Sequence, residues 1–113
     1  MSRELENRFY LFARNVRDFC RTLNFDPVNL IYIRQLVRAS SSIGANYLEA
    51  SDDLGKSDEK MKIRIARREA KETLYWLSLI IITDEQESAR KKLLNECQQI
   101  RKILSAILIK LAQ

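Results

Sequence analysis

The chain has 113 residues, of which 46% are hydrophobic and 31% charged, enough for one domain with its own core and unlike a disordered or membrane-spanning sequence. Two Gly and one Pro leave too little turn chemistry for a β-rich fold, and the absence of histidine excludes every His-dependent catalytic triad. A net charge of +5 and a pI near 9.4 are compatible with nucleic acid or an acidic partner.

The first helix is predicted from about Arg3 to Leu23, because Leu5, Phe9, Phe12, Val16, Phe19 and Leu23 recur at three- and four-residue steps and share one face. Asn24-Phe25-Asp26-Pro27 breaks it, with Asp26 as cap and Pro27 in the first turn of the next helix. That second helix is expected to reach about Asp53, with Gly55 as its stop. Ser57 is the expected N-cap of a third helix, 57–82, with Asp58 and Glu59 at its positive end. Asp84 with Glu87 three residues later reads as the cap of a fourth helix, 85–111. Its apolar ladder is Ala89, Leu93, Cys97, Ile100, Leu104, Ile107, Leu108 and Leu111.

Short connections make neighbouring helices antiparallel, so the expected fold is all-α, a single domain over 1–113 forming an up-down-up-down four-helix bundle. Helices of about 25 residues would be about 38 Å long at 1.5 Å per residue. The two cysteines, Cys20 and Cys97, lie on or beside apolar faces and read as buried, reduced packing residues. Fully apolar runs are short, as in the four residues Leu79 to Ile82, far below a spanning helix. The N-terminal stretch is charged and no apolar signal core follows, so a cytoplasmic protein is expected.

The second helix has more apolar surface than one partner needs. Tyr32, Leu36, Ala39, Ile43, Tyr47 and Ala50 form one face, and Leu30, Val37 and Leu48 a second, with Ser41 and Gly44 as small gaps between. Leu94, Ile103 and Ile109 lie off the main ladder of the fourth helix. Two apolar faces imply two partners, so a homo-oligomer is expected, with Leu30, Val37, Ser41, Gly44 and Leu48 as candidate interface.

Between those faces Arg38, Ser42, Ala45 and Glu49 align, with Arg34 and Asn46 at the margins; Glu69, Glu72, Thr73 and Trp76 align likewise on the third helix. Acids beside a core face need partners, so this polar strip is expected to be a hydrogen-bonded network that fixes helix register. A carboxylate-bridged metal pair would need Glu-x-x-His motifs, and no histidine exists; no metal or cofactor is expected. Ser40-Ser41-Ser42 has no general base in reach of the pattern, and Glu69 with Glu72 is spaced as a salt network would be. No catalytic residue emerges.

Two segments are recognisable. Gln35-Leu-Val-Arg-Ala-Ser-Ser-Ser-Ile-Gly-Ala-Asn-Tyr-Leu-Glu-Ala50 closely resembles the signature of the bacterial four-helix-bundle family, also called the 23S rRNA intervening-sequence protein family. Ala66-Arg-Arg-Glu-Ala-Lys-Glu-Thr-Leu-Tyr-Trp-Leu77 matches its second motif, and Gly55-Lys56-Ser57 its connecting turn. The matching positions are Arg38, Ser42, Ile43, Ala45, Asn46, Glu49, Glu69, Glu72 and Trp76, none of them known to be catalytic. The resemblance implies a ring-like homopentamer, often encoded inside an insertion in the large ribosomal RNA gene. A related branch, the accessory variability determinant of diversity-generating retroelements, implies RNA and a reverse transcriptase as partners.

Two rows of cations complete the picture. Arg3, Arg14, Arg17 and Arg21 share a stripe with Tyr10 on the first helix, and Lys60, Arg64, Arg67, Arg68 and Lys71 share one with Tyr75 on the third. Such rows suit sequence-independent phosphate contacts, although solvated faces carry similar rows and Asp58 and Glu59 dilute the second. The resulting expectation is a non-enzymatic oligomeric accessory protein that binds RNA or DNA through its outer basic faces. The alternative is an oligomeric protein-interaction scaffold with no nucleic-acid role.

Overall fold

The computed structural model describes residues 2–50 and 55–113. Four helices follow one another: α1 (Arg3–Cys20), α2 (Pro27–Ala50), α3 (Lys56–Leu79) and α4 (Glu87–Leu111), the last preceded by a 3₁₀ turn at Asp84–Gln86. No strand occurs among the described residues. The helices pack around one core in a body of 45 × 23 × 20 Å. Each is in contact with its two neighbours, α2 most extensively with α3, while α1 and α3 occupy one diagonal and α2 and α4 the other.

The three- and four-residue ladders are what enter the core. Phe9, Phe12, Val16 and Phe19 of α1 meet Leu36, Ile43 and Tyr47 of α2, Ile63, Ala66, Ala70 and Leu77 of α3, and Leu93, Cys97, Ile100 and Leu104 of α4. Phe9 meets Tyr47 edge-to-face at 4.9 Å, a geometry that adds to simple burial. Gly44 stands at the α1 crossing, where an added Cβ would lie 3.4 Å from the Phe9 Cβ. Both thiols are buried, and the Cys97 Sγ donates to the Ala70 carbonyl at 3.3 Å. Of the expected fourth-helix ladder, Ala89 is exposed, since it sits one turn before the helix reaches the core.

The helix ends depart from the sequence expectations, each for a local reason. α1 stops at Cys20 rather than Leu23, because Thr22 and Leu23 turn back onto Phe19 and Cys20 with three-residue hydrogen bonds; Leu23 is buried all the same. α2 begins as expected, with the Asp26 carboxylate accepting from the Val28 and Asn29 amides at 3.0 and 2.9 Å. Its expected last turn, 51–53, lies outside the described residues. The N-cap of α3 is Gly55, not Ser57: a φ of +91° at Gly55 turns the chain into the helix early, which leaves Ser57 inside the first turn. α3 ends at Leu79 rather than Ile82, because Ile80 becomes extended and buries its side chain. The cap before α4 is the Thr83–Gln86 pair, one residue ahead of the expected Asp84–Glu87, with the Thr83 amide donating to Gln86 Oε1 at 2.9 Å.

One end of the molecule is closed by two amides. The side chain of Asn29, fully buried, donates to the carbonyls of Asn24 and Ile81 at 2.8 and 3.1 Å and accepts from the Ile81 amide at 2.7 Å. Gln86 Nε2 donates to the Thr22 carbonyl at 2.9 Å. These contacts join the α1–α2 and α3–α4 connections. No helix among the described residues is long and apolar enough to cross a membrane.

Candidate functional site

The polar strip resolves into a compact cluster between α2 and α3. Arg38 on α2 donates through Nη1 to Glu69 Oε2 at 2.7 Å and through Nη2 to Glu72 Oε1 at 2.8 Å, while its Nε donates to Gln35 Oε1 at 3.1 Å. Glu69 is almost fully buried, and Glu72 and Arg38 lie nearer the surface. Burial opposes the charge on Arg38, but its bonds to Glu69 and Glu72 outweigh that and raise its pKa above the ordinary value. Arg68 stands a little further off, its Nε 3.8 Å from Glu69 and 3.9 Å from Glu72.

Other members of the strip are spent locally. The Ser42 hydroxyl donates to the Arg38 carbonyl at 2.8 Å, Asn46 Nδ2 to the Ser42 carbonyl at 2.8 Å, and the Thr73 hydroxyl to the Glu69 carbonyl at 2.7 Å. Glu49 is paired with Lys62 across the same two helices. Trp76 packs between Tyr75 and Tyr32, with ring centroids 5.2 and 6.2 Å away, and its buried indole N–H has no hydrogen-bond partner among the described residues. A cluster whose carboxylates are already held by arginine offers no free acid–base pair.

Beside Trp76 the surface opens into a groove of about 760 Å³ between α3 and α4. Arg64, Arg67 and Lys71, each one residue past the buried Ile63, Ala66 and Ala70, line it with Arg68, and α4 adds Arg101 and Ser105. Arg67 Nη1 is 3.5 Å from the Ser105 hydroxyl, a long contact from α3 to α4. Glu72 is the one acidic residue in the lining, and Arg38 already holds it. Among the described residues Arg64, Arg67, Lys71 and Arg101 have no carboxylate partner. Lys60 joins Arg64 and Arg67 in a smaller hollow of about 300 Å³ that continues the groove toward Leu108 and Ile109.

The first-helix cations are placed elsewhere. Arg3, Arg14, Arg17 and Arg21 are exposed, Arg17 pairs with Asp18 at 3.0 Å, and Arg14 lies 5.7 Å from the Tyr10 ring centroid. Because α1 and α3 are diagonal, these two basic rows do not form one surface on a single chain. The candidate interface residues Ser41, Gly44 and Leu48 line an apolar groove of about 330 Å³ with Phe9, Tyr10 and Ala13 of α1. Leu30 is half-buried and Val37 packs on the chain's own core, so the second apolar face of α2 is smaller than the helical wheel suggests. Leu94 and Ile103 likewise join the core, which leaves Ile109 exposed.

Sequence reasoning missed Arg101, Ser105 and Lys62 as partners of the named residues. Arg101 had a legible signal: it follows the ladder residue Ile100 and precedes Leu104 by three, which puts it on the rim of the buried face. Among the described residues no group of three or more His, Cys, Asp or Glu is placed to hold a metal ion.

Four packed helices, a basic groove and an arginine–carboxylate cluster define a small all-α protein with a charged outer face. The chain belongs to the 23S rRNA-intervening sequence protein family, whose model matches residues 4–106, as the two motif segments imply. A solved structure from Bacteroides thetaiotaomicron VPI-5482, described as a protein with unknown function from the S23 ribosomal protein family, is similar over 91% of this chain and 96% of that one. Its sequence identity is 31% and its TM-score 0.79. Comparison with curated proteins gives no match. Neither description names a catalytic activity.

Proposed function

We propose that this chain is a non-enzymatic, cytoplasmic RNA-binding accessory protein, an antiparallel up-down-up-down bundle that assembles as a homo-oligomer, a pentamer by family resemblance. The observation that carries the reading is the α3–α4 groove, where Arg64, Arg67, Lys71 and Arg101 converge without carboxylate partners among the described residues. Cations held on rigid helices and left unneutralised are suited to phosphate, and binding then releases condensed counterions. The family description is tied to 23S rRNA, which makes RNA the polyanion to test first.

Antiparallel packing is supported by the order of the cross-helix pairs. Arg38 and Glu49 ascend α2 while their partners Glu69 and Lys62 descend α3, and Asn29 at the start of α2 meets Ile81 just past the end of α3. Assembly through the apolar α1–α2 groove would leave the basic α3–α4 groove open on every copy, and repetition would raise avidity for a long polyanion.

The test is retention of a structured RNA by the purified protein across a salt series. Binding is expected to weaken steeply with salt, by about 0.7–0.9 log units per log unit of salt for each phosphate contact. The double substitution Arg64→Glu/Arg67→Glu should remove it while helical content is retained, and Arg14→Glu/Arg17→Glu should weaken it less. No retention of RNA at low salt overturns the reading.

A further inference from the structure

The groove is more than a row of charge, because aromatic rings stand at one end of it. Tyr75 is 61% exposed, and its ring meets Trp76 edge-to-face at 5.2 Å, 71° between planes. Trp76 is backed in turn by Tyr32 at 6.2 Å. The exposed ring is therefore the end of a braced aromatic chain and not a free side chain on a helix surface. Tyr75 lies eleven helical rises beyond Arg64 on α3, or about 16 Å at 1.5 Å per residue, so cations and ring lie along one continuous track.

A duplex can satisfy the cations, since its phosphates are outside, but its bases are already stacked and cannot cover Tyr75. An unpaired base can, and stacking on aromatic side chains tolerates any base because each has a π-face. Trp76 lines the same groove beside Tyr75, so a base stacked on that ring lies next to the indole. We propose that the α3–α4 groove is a single-strand nucleic-acid site, in which an unpaired base stacks on Tyr75 and the flanking phosphates lie on Arg64, Arg67 and Arg101. This rests on the RNA-binding reading above and adds to it the state of the strand and the residue that senses it.

Trp76, the only tryptophan, supplies the readout. The intact chain is titrated, at one fixed salt concentration, with an unpaired oligoribonucleotide of about 12 nucleotides, its deoxy counterpart, and a blunt RNA duplex of equal length. The expected result is quenching of Trp76 emission and at least tenfold tighter binding of the single strands than of the duplex. Tyr75→Ala should erase most of that preference, about tenfold, and Tyr75→Phe should keep it. Helical content of both variants is measured alongside, and the phenylalanine variant, which keeps the ring, guards against a folding artefact.

Equal or tighter binding of the duplex overturns this inference and leaves the RNA-binding reading standing. So does a Tyr75→Ala chain that keeps the full preference. Failure of single strands and duplex alike to bind overturns both. A clear difference between the ribo and deoxy strands, with Tyr75 still required, supports the site and assigns its sugar preference.

Discussion

Arg38 Nη1 lies 2.7 Å from Glu69 Oε2, and that contact ties a carboxylate with 4% of its side chain exposed on α3 to a half-exposed guanidinium on α2. The buried partner has most to lose. Removing the arginine leaves an acidic group facing the core with only a distant Arg68 for compensation. Arg38→Met should destabilise the fold by about 2 kcal/mol, below the usual cost for a wholly buried pair because solvent screens the arginine. Urea titration checks this. Arg38→Met/Glu69→Met together should cost less than the sum of the single changes; simple additivity would show that the pair is not coupled.

Asn29 carries a second stability prediction. Asn29→Ala strands the Ile81 amide, the Ile81 carbonyl and the Asn24 carbonyl in the closed end of the molecule. The expected loss is about 1–2 kcal/mol, from three hydrogen bonds of a fully buried side chain whose partners Asn24 and Ile81 lie on exposed connections where water can replace part of them. Asn29→Asp should be nearly as damaging, since it keeps the acceptor for the Ile81 amide and removes both donors. A denaturation midpoint unchanged by either substitution would contradict the clasp.

The thiols set a dependence on alkaline pH. Burial pushes the Cys20 thiol up to about 11 and the Cys97 thiol up to about 12, from an ordinary 9.0. Below pH 9 both folded and unfolded chains keep these protons, and the stability is fully present. Above it the unfolded chain gives them up first, so stability should fall as pH rises toward the folded values. The urea midpoint measured from pH 8 to pH 11 tests the sign, and Cys97→Ala should flatten that limb. At neutral pH a thiol-directed reagent should label the native protein only at the rate of its opening.

Assembly can be probed at the apolar groove between α1 and α2. Leu48 is 54% exposed, so Leu48→Glu should leave folding intact and return an assembled protein to its 13.3 kDa chain mass by light scattering. Gly44→Ala should be neutral to slightly stabilising for folding: helix propensity gains about 0.5–1 kcal/mol, and the new Cβ, 3.4 Å from the Phe9 Cβ, is at the tight limit of contact and offsets part of it. If Leu48→Glu leaves the mass of the assembly unchanged, this groove is not the contact between copies.

The buried faces were legible because each depends on one helix at a time. Phe9, Phe12, Val16 and Phe19 keep their spacing whatever packs against them, and so do Leu36, Ile43 and Tyr47. Termini were less so. Ser57 and Asp84 are good caps in isolation, yet the positive φ at Gly55 and the reach of Gln86 to the Thr22 carbonyl decided where α3 and α4 begin. Asn29 gave no signal at all, because its partner Ile81 is 52 residues away and contributes only backbone.

The polar strip was legible to the same degree. Arg38, Glu69 and Glu72 could be grouped from their helical arcs, and the structure brings those three together. Glu49, Ser42, Asn46 and Thr73 share the arcs but spend their hydrogen bonds on Lys62 or on their own helices. The basic row on α3 was visible as a row. Its conversion into a groove depends on Arg101 and Ser105 of α4, which no pattern within α3 reveals.

The amide of Asn29 also bears on how the chain behaves when cut. Its three partners come from two connections that no single pair of helices contains. A fragment holding α1 and α2 keeps the contact to Asn24 and loses both contacts to Ile81, so water must replace two of the three hydrogen bonds of that amide. Neither half then has a complete floor of its own. The two helix pairs should therefore melt as one unit.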